Sequence, residues 1–242
     1  MNSADRRLCA IHQPNFFPWL GYFDKMARAD IFVFFDDVQL QKKGGGWANR
    51  VQLLIGGQAR WVSAPLDRTY HGVKSICEVG FSDREPLWRE NLRKTILSQY
   101  AKAKYFKDIH PWLEPLIMNE EALLSDYNIT AINEICDRIG LRCNTVKSSS
   151  LDTEGSATDL LISTMTAVDA NVYLCGGGAS GYQKDEKFGV HGMALEYQNF
   201  SHPQYRQFKN ESFQPGLSIV DALMHCGVDG VGEILHARNS TL

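Results

Sequence analysis

The segment spanning residues 9–50, CAIHQPNFFPWLGYFDKMARADIFVFFDDVQLQKKGGGWANR, gathers most of the side chains that could do chemistry. His12 follows the apolar run Leu8-Cys9-Ala10-Ile11. A histidine there suits a general base or a hydrogen-bond donor to an anionic ligand. A loop histidine bonded to backbone is the structural alternative. Gln13 and Asn15 bring amides to the same loop, which Pro14 and Pro18 stiffen. Trp19 and Tyr22 either pack in the core or wall a pocket for a ring. Asp36 and Asp37 close a second apolar run, residues 31–35. Adjacent carboxylates at a strand end suit a ribose, an ammonium or a metal, or serve as a cap or salt-bridge partner. A metal needs more oxygen ligands than this pair provides, so none is expected.

Further along, Lys42, Lys43, Trp47, Asn49 and Arg50 surround a glycine run. They form either a solvated loop or a lid whose cations hold a phosphate. A second glycine-rich turn, Cys175-Gly176-Gly177-Gly178-Ala-Ser-Gly181-Tyr182, follows an apolar run. Such turns let backbone N–H groups approach a phosphate or carboxylate. Cys175 is a candidate nucleophile, with His12, His191 or His202 as its base; a buried inert thiol is the alternative. The stretch from His202 through Tyr205 to Gln207 reads as a polar, aromatic loop. Ser218 and Asp221 read as a capping pair at a helix start.

The elements that must position these groups alternate. Strands are expected over residues 8–11 and 31–35, with a helix between them over 21–28. A hairpin follows over 51–64 around Gly56-Gly57, then an exposed strand over 71–80. A helix from Pro86 to about residue 103 places Trp88, Leu92 and Ile96 on one face. Pro111 and Pro115 frame a short helix, and a longer helical pattern ends at Gly140. The second half repeats the alternation. Strands are expected over 142–147, 171–174 and 193–197. Helices are expected over 158–168 (capped by Ser156), 182–188 and 218–226. This pattern predicts an α/β fold with a mostly parallel sheet and helices on both faces, Rossmann-like. It is read as one domain over residues 1–242, with an inserted β-ribbon at about 45–80. In such sheets ligands bind at the carboxyl ends of the strands, where His12, Asp36 and the Cys175 turn all fall.

Composition limits the partners. A formal charge of −3 gives no support to a protein driven onto nucleic acid by bulk charge. The 6 cysteines show no CxxC spacing, so neither a zinc site nor a disulfide framework is expected. No apolar run approaches the roughly 20 residues needed to cross a bilayer, and no secretory signal is visible. A cytoplasmic location is the expectation, without a membrane partner. The oligomeric state stays open, a homodimer included.

The motif HQPNFFPWLGYFDKMARADIFVFFDDVQ, the Trp47-Ala-Asn49-Arg50 run, the YLCGGGASGY turn and the HPQYRQ and FQPGLSIVDALMHCG segments together resemble the WbqC-like protein family. The resemblance runs in order over nearly the whole chain. Family members usually carry serine where this chain has Cys175. The family's setting implies bacterial surface polysaccharide, and acylation or aminoacylation of a nucleotide-linked amino sugar. The start of the chain also resembles the nucleotidylyltransferase superfamily, with Trp19 and Tyr22 where that superfamily's HxGH signature has its histidines. The leading expectation is a transferase taking that sugar and an acyl or aminoacyl donor, with no cofactor named. His12, Asp37 and Cys175 are its candidate catalytic residues. Gln13, Asn15, Trp19, Tyr22, Asp36, Lys43, Trp47, Asn49, Arg50, Gly176, Gly177, Tyr182, His202 and Tyr205 are the candidate substrate contacts. The alternatives are an ATP-dependent amide-forming or nucleotidylyltransferase-like enzyme, which would need magnesium, and a non-catalytic sugar-nucleotide-binding protein.

Overall fold

The computed structural model describes residues 6–41, 46–176, 183–207 and 212–239. Strands β1 (Leu8–His12) and β2 (Ile31–Phe34) are joined by helix α1 (Leu20–Arg28). Strands β3 (Arg50–Ile55) and β4 (Gln58–Ser63) form a separate antiparallel ribbon. Helices α2 (Trp88–Tyr100), α3 (Phe106–Ile117) and α4 (Leu124–Arg138) precede β5 (Asn144–Lys147). Then come α5 (Thr158–Ala167), β6 (Val172–Cys175), α6 (Asp185–Val190), β7 (Ala194–Tyr197) and α7 (Ile219–Asn239).

The main sheet has the order β5-β2-β1-β6-β7, and its neighbouring strands are all parallel. From β1 the chain winds outward through β2 to β5. It then returns to the other side of β1 for β6 and β7. That reversal opens a crevice between the carboxyl ends of β1 and β6, the place where doubly wound sheets take ligands.

Alternation along each strand divides the core into two layers. Leu8, Ala10, Phe32, Phe34 and Leu174 face Phe23 and Met26 of α1, Ile132 of α4 and Leu223 of α7. Cys9, Ile11, Val33, Tyr173 and Cys175 face Leu161 and Met165 of α5 and Phe188 of α6. Helices thus cover both faces, as the alternating pattern predicts. α1 packs closely because Gly21 carries no side chain: a Cβ there would lie 2.7 Å from Trp19 Nε1 and 2.9 Å from the Phe200 ring.

Three local expectations are corrected. Residues 71–80 form no strand; Ile76–Glu78 is a 3₁₀ turn, tied by Ser75 N–H donating to Glu78 Oε2 at 2.8 Å. Only isolated bridges such as Gln39 to Ser75 hold this stretch, since no described strand lies alongside to continue a ladder. Pro111 and Pro115 do not frame α3; both lie inside it. Ser156 does not cap α5 with its hydroxyl. Its carbonyl accepts from Asp159 N–H at 3.1 Å, and Ala157 takes the cap position with a positive φ of 51°. The helix expected over 218–226 does stop at Gly227, where φ is 77° and ψ 175°; a second helix follows it directly, and the two together make up α7. A Cβ at Gly227 would meet the Tyr105 ring at 2.9 Å, so both conformation and space require glycine.

Candidate functional site

His12 is the last residue of β1, and the loop after it is held from several sides. Phe35 N–H donates to His12 O at 2.8 Å, linking the ends of β1 and β2. Phe16 N–H donates to Trp47 O at 3.0 Å. The Asn128 amide of α4 donates to both Pro14 O (2.8 Å) and Ala48 O (2.7 Å). Ser218 Oγ donates to Phe17 O at 2.7 Å, fixing a residue whose φ is 39°. A non-glycine residue in the left-handed region stores strain, which structures tolerate mostly where function needs it.

The imidazole of His12 is half-buried. Its Nδ1 lies 3.1 Å from Gln13 O. A carbonyl can only accept, so Nδ1 carries the proton and Nε2 keeps its lone pair. Burial, with the positive charge of Lys25 nearby, pushes the imidazole down to about 3. It is therefore neutral at physiological pH. A group titrating near 3 is too weak a base to strip a free ammonium. No described residue bonds Nε2, which leaves it to accept from a ligand.

Aromatic rings build a wall beside His12. Its ring centroid is 4.9 Å from that of Tyr22 and 5.9 Å from that of Trp19. Trp19 meets Trp47 at 4.8 Å, and Trp47 meets Trp61 at 4.9 Å. The Arg50 guanidinium lies over the Trp61 ring, 4.3 Å from its centroid. Tyr22 is core, its hydroxyl donating to Gln13 O at 3.1 Å. Trp19 is half-buried, whereas Trp47 and Trp61 are 37% and 42% exposed. Exposed neighbouring tryptophans are a ready face for a planar or sugar ring.

On the α5 side of His12 lies a cleft of about 430 Å³, lined by Ile11, His12, Gln13, Phe35, Val38, Leu160 and Tyr173 among others. A mostly apolar cleft of this size with a few convergent polar groups suits a small ligand. A larger cavity of about 770 Å³ opens among the turns at Ala29-Asp30 and 141–145, at the amino ends of the strands. The cleft at His12 is the better candidate, because it lies at the ligand end of a parallel sheet.

The remaining candidates are distributed unevenly. Asp36 is buried, and its carboxylate accepts from Ser149 N–H (2.9 Å), Ser149 Oγ (2.9 Å), Ser148 Oγ (3.2 Å) and Ser125 Oγ (3.4 Å). It stitches the end of β2 to the turn after β5, which corrects the expectation of a ligand-facing group. Asp37 is half-buried and shares the Ser148 hydroxyl. Asn15 is buried, and its Nδ2 has no partner among the described residues. Asn49 uses its Nδ2 on Ala64 O at 2.9 Å, a ribbon contact. His202 accepts from Gly216 N–H at 3.3 Å and packs against Phe200. Lys43, Gly177 and Tyr182 lie outside the described residues.

Two expectations fail on geometry. Cys175 is buried in the α5 and α6 layer, its Sγ donating to Glu196 O at 3.2 Å, and burial raises the thiol. A thiol held in that state is an inert core group and a poor nucleophile. Tyr205 donates to Asp221 Oδ2 at 2.8 Å, in a network that also includes Tyr100 and Gln207. It is a support for α7. Asp221 is thereby consumed as well and does not complete a capping box, although Ser218 Oγ does accept from Val220 N–H at 3.2 Å.

The residue that sequence reasoning missed is Lys25. It is 4% exposed on α1, a helix whose residues from Leu20 to Met26 are all buried. Desolvation pushes its ammonium down to about 8. Its signal was there in the spacing, since position 25 falls one helical turn after Tyr22, which faces His12.

Fold and site define a doubly wound parallel α/β protein whose candidate ligand crevice lies at the carboxyl ends of its first strand and its neighbours. The chain belongs to the WbqC-like protein family, whose model matches residues 13–233. It is 26% identical over 235 residues to Rv1507c of Mycobacterium tuberculosis, described as an uncharacterized protein. The match covers 95% of this chain and 98% of that protein. No solved structure matches the chain. Among the described residues, no helix is long and apolar enough to cross a membrane.

Proposed function

We propose that the protein transfers an acyl or aminoacyl group to a nucleotide-linked amino sugar used in bacterial surface polysaccharide. The setting comes from the family; the chemistry rests on His12. Its neutral imidazole offers Nε2 at the crevice, next to an aromatic wall that suits a nucleotide or sugar ring. The amine must arrive uncharged. As its nitrogen bonds to the donor's carbonyl carbon, that nitrogen becomes more acidic than a free ammonium, and its proton passes to Nε2 of His12. The donor's leaving group departs with the bonding pair and receives the proton from His12. Arg50, held over Trp61, would pair with a phosphate of the ligand. Asp37 is the second candidate catalytic group, and His202 a candidate substrate contact.

A second reading is an ATP-dependent amide-forming or nucleotidylyltransferase-like enzyme, requiring magnesium. The parallel sheet with its switch-point crevice favours it, by analogy of fold. In the non-catalytic alternative the same crevice only holds the sugar nucleotide. The test is product formation. The protein is incubated with amino-sugar nucleotides and a panel of acyl-CoA, aminoacyl-tRNA, and amino acid with ATP and magnesium. Mass spectrometry then looks for the acylated sugar. The proposal expects product that falls roughly 10²–10⁴-fold with His12→Ala. Adenylate or pyrophosphate release with ATP would favour the second reading. Binding without product under every donor would favour the third.

A further inference from the structure

One buried carboxylate organises a second cavity, which shares no lining residue with the cleft at His12. The Asp221 side chain is 0% exposed. It accepts from the hydroxyls of Tyr100 at 3.0 Å and Tyr205 at 2.8 Å, and from Gln207 Nε2 at 3.1 Å. Tyr100 is the last residue of α2, so this bond fixes the start of the turn that carries Lys102 and Lys104. Tyr105 N–H fixes the end of that turn, donating to Met224 O of α7 at 3.1 Å. Tyr205 and Gln207 flank Arg206, so both neighbours of that arginine are anchored on the same carboxylate. His225, one helical turn after Asp221, donates through Nδ1 to Asp221 O at 2.7 Å, and its side chain is 5% exposed.

These anchored segments enclose a cavity of about 460 Å³, lined by Lys102, Ala103, Lys104, Arg206 and His225. The lining carries the positive charges of Lys102, Lys104 and Arg206 and no carboxylate, in a chain whose formal charge is −3. Among the described residues none of these three cations makes an ion pair. A cleft lined by one sign of charge focuses its field and concentrates the opposite ion. We infer that this cavity is a second binding site and that it takes a phosphoryl group. A phosphate monoester carries about −1.5 to −2 charges at neutral pH, against one on a carboxylate, and so matches several cations at once. The Arg206 guanidinium offers it a planar fork, and the two lysines act as point charges. His225 also lines an adjoining cavity of about 320 Å³ with Ser98 and Gln99, which gives room for the body that a phosphoryl group is attached to. The site stands apart from the transferase reading and does not depend on it.

The test uses simple phosphorylated probes on the full chain. Sodium pyrophosphate and ribose 5-phosphate are titrated separately at constant ionic strength, with sodium chloride as the reference. Calorimetry gives the affinity, and the ring Cε1–H resonance of His225 reports the place by NMR. Wild type is compared with His12→Ala and with a variant carrying both Lys104→Ala and Arg206→Ala. Lys104 and Arg206 are exposed, so the double variant should keep its thermal transition. The expected result is saturable one-to-one binding of at least one probe, with a shift of the His225 resonance. That binding should weaken at least tenfold in the double variant and stay unchanged in His12→Ala. Saturation by both probes assigns the site to the phosphoryl group itself. Saturation by ribose 5-phosphate alone assigns it to a phosphoryl carried on a larger body, and by pyrophosphate alone to a diphosphate. The inference is overturned if neither probe saturates, if chloride gives the same response, or if the His225 resonance does not move. Equal affinity in the double variant would also overturn it, as would loss of binding in His12→Ala, which would put the anion in the crevice instead.

Discussion

Trp19 and Trp47 meet with ring centroids 4.8 Å apart, and this contact joins the entry of α1 to the foot of the β3–β4 ribbon. Because Asn128 clamps Pro14 O and Ala48 O together, the loop after β1 and the segment before β3 move as one unit. The ribbon is thus tied to the loop that carries His12.

Trp47→Ala should therefore weaken binding of a nucleotide sugar while leaving the fold intact. Ring stacking contributes about 1–3 kcal/mol, so affinity should drop roughly 5- to 150-fold. Trp47 is 37% exposed, so the melting temperature should change little. Calorimetric titration alongside a thermal scan checks both halves.

His12 makes stability depend on pH in a defined window. Its folded-state value is about 3, and that of the unfolded chain is about 6.5. Above 6.5 both states are neutral and the native state keeps its full advantage. Between 6.5 and 3 the unfolded chain binds a proton that the native state does not, so stability falls as pH drops. The slope from this group is about 1.4 kcal/mol per pH unit. Urea unfolding of His12→Gln, compared with wild type, should lose that slope between pH 3.5 and 6.

Lys25→Met should stabilise the fold at pH 7. The ammonium titrates near 8 in the native state against an ordinary value of 10.5. Below 8 both states are charged, and the whole desolvation penalty acts on the native one. As pH rises from 8 to 10.5 the native state loses its proton first, so wild-type stability climbs. A buried methionine avoids the penalty, which the shift puts at roughly 3 kcal/mol. Denaturant midpoints at pH 7 and pH 10.5 should converge between wild type and variant. A destabilised variant at pH 7 would mark Lys25 as a packing group instead.

Asp36→Ala should destabilise strongly. Ser125, Ser148 and Ser149 would lose a shared acceptor in a buried place. Each buried polar group left unsatisfied costs about 1–3 kcal/mol. A loss of at least 3 kcal/mol by urea unfolding is expected, before any effect on ligand binding.

The sheet and most helices were legible because strand alternation and helical spacing are local signals. Leu8 to Ile11, Trp88-Leu92-Ile96 and the Gly56-Gly57 hairpin all express them in consecutive residues. The stretch around residues 71–80 was misread because strand-like composition needs a partner strand, and partners are a tertiary property. The loop from His12 to Asn15 was visible as a cluster of unusual residue types. The roles of Asp36, Asn49 and Tyr205 were not, since the groups that satisfy them come from far along the chain: Ser148 and Ser149 for the first, Ala64 for the second and Asp221 for the third. Lys25 was missed because a lysine on a helix is ordinarily read as its solvent face, whereas α1 is buried on every side.

The crevice at His12 is proposed to bind a nucleotide-linked amino sugar, and a thermal-shift titration tests that binding most directly. A ligand that binds the native state raises its melting temperature in proportion to ln(1 + [L]/Kd). Nucleoside-diphosphate amino sugars, their non-amino counterparts, and ATP with magnesium would be compared on wild type, His12→Ala and Trp47→Ala. We expect a concentration-dependent rise with an amino-sugar nucleotide, larger than with its non-amino counterpart and reduced in both variants. A rise with ATP and magnesium alone, or one that neither substitution alters, would contradict the claim.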